Sequence, residues 1–557
     1  MPVVPVQGYG TVTGTVTSSG APVQGVTVST DGPKATTTTD AQGKYTFSRL
    51  PYGTYDITAS KDSYTTQTQS ITVSNAVNVL NFELASSGGN PDGAFSFNAV
   101  FGGSNNDYVD INSRSLFNSR DIKLASDGTI WMCGSTASSD GDLAVPGNKG
   151  VVDAWLLNID PTTNQILYNR TFGGTGFDEF CSLLPVDDGN GKITIWVCGN
   201  TNSSDGDLTS AGHHISTPNS NSDGWVMHID PDQATPAAQI LYNRCIGGSA
   251  DDYFYNLKRG SDNKTVYLCG ETLSAAGDNT GNGFHGGNNT DAWLVGIDST
   301  QNASAPLSYN RCFGGSQSDM FNAMQLMNDG TIWCAGLTRS IDGDITTAIV
   351  GNHGIAGSAD GWLTHIDPSS AVGSQILYNC CFGGSAEETF NDINVLANDT
   401  IWLCGGAAST DGNLAAAGNH GNTDAWLACV DSTTSTLKYN RCFGGSADDA
   451  TYSSTRMQFA ADGTIWIAAQ SASTDGDLTN AGNHGGNDVW LFNVDPVANQ
   501  IRSSKCYGGN GDETMPALVL DLNLGYIWVV AGTTSNVNGD VPATHGGMDL
   551  WLFNVAY

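Results

Sequence analysis

Basic residues are scarce in this chain. Its 557 residues include 21 Lys and Arg against 55 Asp and Glu, a formal net charge of −34. Phosphate backbones need a cationic footprint, so nucleic acid is excluded as a partner. Long apolar runs are missing too. No stretch reaches the roughly 18 consecutive apolar residues of a membrane span, so no membrane insertion is expected. The opening segment MPVVPVQGYG has neither a basic n-region nor an apolar h-region, and no secretory signal is visible in it. The 13 cysteines contain no CxxC pair and no zinc-finger spacing, so no disulfide framework is implied. HExxH, GxSxG and P-loop strings are all absent. Only 14% of residues are charged, too few for long solvated helices.

Glycine is plentiful, at 69 residues, and it punctuates short strand-like runs. From Gly8 to Leu84 apolar and polar residues alternate in runs rich in Val and Thr, separated by Gly, Pro and Asp turns. That period-two pattern predicts an antiparallel β-sandwich over 8–84, preceded by an N-terminal arm at 1–7. The order of GTVTGTVTSSG, PVQGVTVSTDG and GKYTFSRLPYGTYDITASKDSY resembles the carboxypeptidase regulatory-like (transthyretin-like, CnaB-like) domains. Such domains are accessory modules on surface and virion proteins. Some CnaB relatives carry an isopeptide cross-link from a first-strand Lys, but GTVTGTVT holds no Lys, so the cross-link is not carried over. The Gly/Ser/Pro/Asn stretch ASSGGNPDGA, residues 85–94, reads as a linker.

From 95 to 557 the chain repeats. An aromatic residue or Ile followed by Gly-Gly occurs at Phe101, Phe172, Ile246, Phe313, Phe382, Phe443 and Tyr507, with spacings of 71, 74, 67, 69, 61 and 64. Each unit contains four strand-like runs, which describes a seven-bladed β-propeller. The last unit ends on its third run, DLWLFNVAY, whereas FSFNAVFGGS at 95–104 looks like a stray fourth run. The expected closure therefore joins three C-terminal strands to one from residues 95–103, leaving no open edge.

All 13 Trp fall at two repeat positions, such as Trp131 and Trp155, and a residue needed once per blade is expected to be core. Cys133, Cys198, Cys269 and Cys404 follow the second-strand aromatic. Cys245, Cys312, Cys381, Cys442 and Cys506 lie just before the Gly-Gly marker. The two sets sit on strands separated by a third, so they are expected to be buried free thiols, suited to folding in a reducing cytosol.

Two polar motifs should gather on one face. The first is a DGD…GNHGG segment containing Asp140, Asp142, Asp205, Asp207, Asp342, Asp344, Asp475 and Asp477, with His285, His353, His420, His484 and His545 beyond them. An Asp then precedes every third-strand Trp. The second motif, Gly-Gly-Ser-x-x-Asp, ends in Asp107, Asp178, Asp252, Asp319, Glu388, Asp449 and Glu513. Three readings compete. The leading one is that carboxylates and imidazoles brace loop amides, as the Gly-His and Trp-Asp positions of WD-repeat propellers do. The second is that the eight DGD aspartates hold Ca2+, a hard cation that prefers oxygen ligands, although no DxDxDG loop occurs. The last is Asp/His catalysis, and a pair copied seven times lacks the asymmetry that catalysis needs. The five histidines with Asp107, Asp178, Asp252, Asp319 and Asp449 are the candidate ligand-binding face.

The unit Y.R.FGGS..D…DGTIW.CG.T.S.DGDL…GNHGG.DAWL resembles a repeat widespread in Bacteroidetes surface and secreted proteins, usually of no assigned activity. Those relatives carry export signals and often a sorting domain. Neither is seen here, which points to release within a phage particle as well as to the bacterial surface. The resulting expectation is a non-enzymatic display or adhesion protein on a virion or cell surface. Its propeller face would bind a glycan or host-surface protein, and its sandwich would dock to a larger assembly. A glycan-active hydrolase or lyase and a purely structural decoration are the alternatives. The insertions at 210–223 and 346–360 are the only places for an asymmetric catalytic site, and neither supplies paired carboxylates.

Overall fold

The computed structural model describes residues 8–18, 21–31, 35–61, 67–84, 95–107, 121–144, 147–214, 221–354, 357–396, 400–450, 455–536 and 539–557. The arm at 1–7 and the linker at 85–94 lie outside the described residues. The chain forms two compact units. One comprises Met1–Ser96 with Asp521–Ile527 and Asn554–Tyr557, the other Phe97–Leu520 with Trp528–Phe553.

The fold is all-β. In the N-terminal sandwich, strand Tyr9–Ser18 pairs antiparallel with Lys44–Pro51, while Thr27–Thr30, Gly53–Ser60 and Gln67–Val73 build the facing sheet. Alternation places Val12, Val16, Val28, Phe47, Tyr55 and Ile57 in one apolar core. The sequence pattern predicts an antiparallel sandwich, and one part differs. Thr11–Thr13 run parallel to Val77–Val79, and Val16–Thr17 run parallel to Phe82–Glu83. After Val73 the chain leaves the second sheet and crosses to the first, and such a crossover, unlike a hairpin, permits parallel pairing.

The second unit contains seven four-stranded sheets. Blades one to six each use four consecutive strands. The seventh has the order Asn98–Phe101, Asp549–Ala556, Tyr526–Thr533, Glu513–Asp521, so the first strand of the repeat region completes the last blade. Asn98 to Phe101 pair antiparallel with Phe553 to Leu550. The innermost strands are Asp121–Leu124, Asp178–Asp187, Asp252–Arg259, Asp319–Leu326, Glu388–Val395, Arg456–Phe459 and Glu513–Asp521, and all seven line one central cavity of about 370 Å³.

Tryptophan packs this ring. Third-strand residues Trp155, Trp225, Trp293, Trp362, Trp426, Trp490 and Trp551 are fully buried. Apolar clusters span neighbouring blades. Trp131, Leu156 and Phe172 of blade one meet Phe180, Val197 and Trp225 of blade two. All 13 cysteines are buried and none is joined in a disulfide, and they serve as small apolar fillers.

Candidate functional site

At each junction the Gly-Gly loop leaving one blade meets the DGD loop of the next. At the first junction, Asp107 accepts the Gly103 N–H at 2.6 Å and the Ser138 hydroxyl at 2.9 Å, and it also bonds Thr136. Asp140 accepts the Ser104 N–H at 2.7 Å and Asp142 accepts the Gly102 N–H at 3.1 Å. One blade on, Asp178, Asp205 and Asp207 accept the N–H groups of Gly174, Thr175 and Gly173. Asp342 and Asp475 take the N–H groups of Ser316 and Ser446, each at 2.7 Å, and Asp344 and Asp477 those of Gly314 and Gly444. All eight aspartates weighed as calcium ligands therefore hold a loop amide. Among the described residues no group of three or more His, Cys, Asp or Glu is arranged around a common centre for a metal ion.

The second aspartate of the motif also ties blades together. Asp207, Asp344 and Asp477 lie 3.5, 3.8 and 3.4 Å from the guanidinium groups of Arg170, Arg311 and Arg441, which come from the preceding blade. The glycine between the aspartates is required by its geometry. Gly476 has φ +58, and a Cβ there would collide with the Gly444 carbonyl oxygen.

Histidine and the carboxylate before the third-strand Trp form the next layer. Oδ2 of Asp488 accepts the His484 backbone N–H at 2.9 Å and lies 2.8 Å from its Nδ1. Asp291, Asp360 and Asp424 hold His285, His353 and His420 in the same way. His545 gives its N–H to Asp549 at 2.6 Å. Blade one has Lys149 at this place, its N–H on Asp153 at 3.0 Å. The hydrogen bond that each ring N–H gives to its aspartate raises the pKa of His285 and His353.

The sequence expectation put Asp107, Asp178, Asp252, Asp319 and Asp449 on the ligand-facing surface with these histidines. The structure separates the two sets. The histidine side chains are a quarter to two-fifths exposed. The five carboxyl groups are buried beneath them, at most 1% exposed, because each must reach the Gly amide four residues back and the hydroxyls of the second strand. Burial raises the pKa of Asp178, Asp252 and Asp319 to about 7. It raises those of Asp153, Asp424 and Asp549 to about 6.

One further set of residues carries a sequence signal of its own, the Asn of the recurring Tyr-Asn pair in the fourth strand. Asn169, Asn243, Asn310, Asn379 and Asn440 accept the third-strand indole N–H at 2.6 to 2.8 Å. Their amide N–H groups bind the backbone carbonyl of the DGD loop. The Trp core and the polar face are thereby one connected network. The insertion residues 215–220 and 355–356 lie outside the described residues.

Comparison with known proteins places one part of the chain. Residues 11–85 match the carboxypeptidase regulatory-like domain, and the chain carries that domain at its N-terminus. A stretch of 75 residues, 13% of the chain, is 43% identical to Structural protein 27 of a virus (isolate Australia/Victoria) and spans 14% of that protein's length. Among solved structures, polysaccharide lyase Uly1 aligns over 84% of this chain and 98% of its own at 10% identity and a TM-score of 0.45. The β-propeller domain of the Trilobed protease from Pyrococcus furiosus aligns over 78% and 93% at 10% identity and a TM-score of 0.36.

Proposed function

We propose that this protein is a non-enzymatic structural component of a virus particle that displays its propeller outward. One observation carries the reading. In every copy of the repeat, the first-strand carboxylate that an acid–base mechanism would need is buried and committed to loop amides and hydroxyls. Catalysis requires a single group with a free coordination direction toward substrate, and a carboxylate whose lone pairs already hold a fold-defining loop cannot turn to one.

The likeness of one segment to a viral structural protein supports a particle role. The N-terminal domain is then the docking module, and the histidine-bearing loops offer the outward surface to a glycan or a host-surface protein. The Bacteroidetes-type repeat fits a host of that group as the source of the propeller. Calcium at Asp140, Asp142 and their counterparts is the competing use of the DGD loops, and it must displace or share the amides those carboxylates hold.

The test is particle association. Density-gradient fractions of a lysate from the native host should carry the chain in the particle band, detected by mass spectrometry. Recovery solely in the soluble fraction, or turnover of a glycan by the purified chain, would sink the reading.

A further inference from the structure

The residues that wall the central cavity change from blade to blade, although one Asn recurs as Asn322 and Asn391. Asp121 is engaged by Lys123, by the Ser182 hydroxyl at 2.9 Å and by the Leu183 N–H at 3.2 Å. Asp392 accepts the N–H groups of Ile393 and Met457 at 2.9 and 3.1 Å. Arg456 donates to the carbonyl oxygens of Thr455 and Asn391 at 3.0 and 3.3 Å. Lys258 lines the same cavity, part-buried, with no hydrogen-bond or ion-pair partner among the described residues.

Three amides on the wall are also incomplete. Asn322 and Asn391 are 5% and 2% exposed, and among the described residues Asn322 Oδ1 and Asn391 Nδ2 have no partner, nor has Asn256 Oδ1. Buried polar atoms are ordinarily satisfied, and an unpaired ammonium is the costliest exception. Burial, with Lys123 nearby, pushes the Lys258 ammonium below its ordinary range. Since Lys123 cancels Asp121, the charge of the described lining residues reduces to Lys258 and Arg456 against Asp392, an excess of one positive charge. That is a local reversal of sign in a chain of net charge −34.

We propose that this cavity binds one small polyhydroxylated carboxylate, its anionic group on Lys258 and its hydroxyls on Asn256, Asn322 and Asn391. A single negative charge matches the excess, whereas a neutral ligand leaves Lys258 unpaired and a dianion overshoots. Amide oxygens without donors accept from hydroxyls, and the free Nδ2 donates to one. A volume of about 370 Å³ accommodates a single sugar-sized molecule, not an extended oligosaccharide. The proposal does not depend on the display role, which is tested by particle association and survives a negative result here.

The intact chain should be titrated calorimetrically with sodium D-glucuronate, D-glucose and inorganic phosphate. The expected result is saturable glucuronate binding with a Kd of about 1 mM or tighter, and at least about tenfold weaker binding of glucose and phosphate. K258M should lose at least about tenfold in glucuronate affinity. Its melting temperature should equal or exceed that of the wild type, because an unpaired ammonium has been removed. If K258M does not fold, the wild-type melting temperature in each ligand decides, with glucuronate alone expected to raise it. No saturation with glucuronate, equal binding of glucose or phosphate, or unchanged binding by K258M would overturn the assignment.

Discussion

Asn98 accepts the indole N–H of Trp551 at 2.6 Å across 453 residues of sequence, and its own amide donates to the Asp540 carbonyl at 2.8 Å. The same two bonds join Asn169 to Trp155 and Asp142 inside blade one. The strand that closes the ring thus reproduces the internal wiring of an ordinary blade. Closure is sealed by the same contacts that stabilise every other unit.

Replacing Asn98 by Ala should destabilise the chain by about 1–3 kcal/mol, because the buried Trp551 N–H loses its acceptor. Asn98→Asp should recover part of the loss, since an acceptor oxygen returns. Denaturant titration of the two variants checks the order, and equal stability of N98A and wild type contradicts it.

Removing a buried carboxylate should cost more than removing an exposed one. Asp319→Ala strands the Gly315 N–H and the Thr338 hydroxyl, and leaves the Ser340 hydroxyl on the Gln317 carbonyl at 3.3 Å. The expected loss is about 3 kcal/mol, against at most about 1 kcal/mol for Asp342→Ala, whose Ser316 amide is exposed and turns to water. Paired chemical denaturation curves decide this.

Gly476→Ala should be destabilising by more than about 1 kcal/mol, since positive φ and the Gly444 carbonyl both oppose a Cβ. Gly463→Ala, where φ is +85 but nothing lies within 4 Å, separates backbone strain from the clash. The two variants should differ in melting temperature, with G476A the lower.

Stability should fall as pH rises from the ordinary carboxylate range through about 7. Asp178, Asp252 and Asp319 have folded-state pKa values raised by burial to about 7, so the folded chain binds more protons than the unfolded one across that window. His285 and His353, also raised, act in the same direction. The amide-bound carboxylates of Asp140, Asp342 and Asp475 are shifted down, so their contribution is lost as pH falls below the carboxylate range. Melting temperatures across a pH series should peak on the acid side of neutrality. A maximum above about pH 8 contradicts the assignment.

Blade number and strand order were legible in the sequence because each is written seven times, and closure because the last unit stops at its third run while residues 95–104 carry a stray fourth. The residues that decide the chemistry were harder to read. Asn169 and its counterparts sit mid-strand, where Asn carries no positional meaning until its Trp partner on the adjoining strand is known. Asp107 and His545 belong to two motifs that the sequence places on one face, yet they differ in exposure, since depth below a surface leaves no trace in spacing. Asn322 and Asn391 share one repeat position, three residues after the first-strand carboxylate, and Lys258 holds another in its own blade, and only ring closure brings them to one cavity. In the sandwich, the parallel pairing of Thr11–Thr13 with Val77–Val79 depends on a crossover that alternation alone does not reveal.

The acidic loops are braced by their own backbone amides. Calorimetric melting of the purified chain in EGTA and in millimolar calcium separates this bracing from cation binding. The two melting temperatures should agree within about 1 °C, because every DGD carboxylate already has its partner. A fall of several degrees in EGTA, reversed by calcium, would mean that bound metal contributes on the order of 2–3 kcal/mol and that the loops are cation sites.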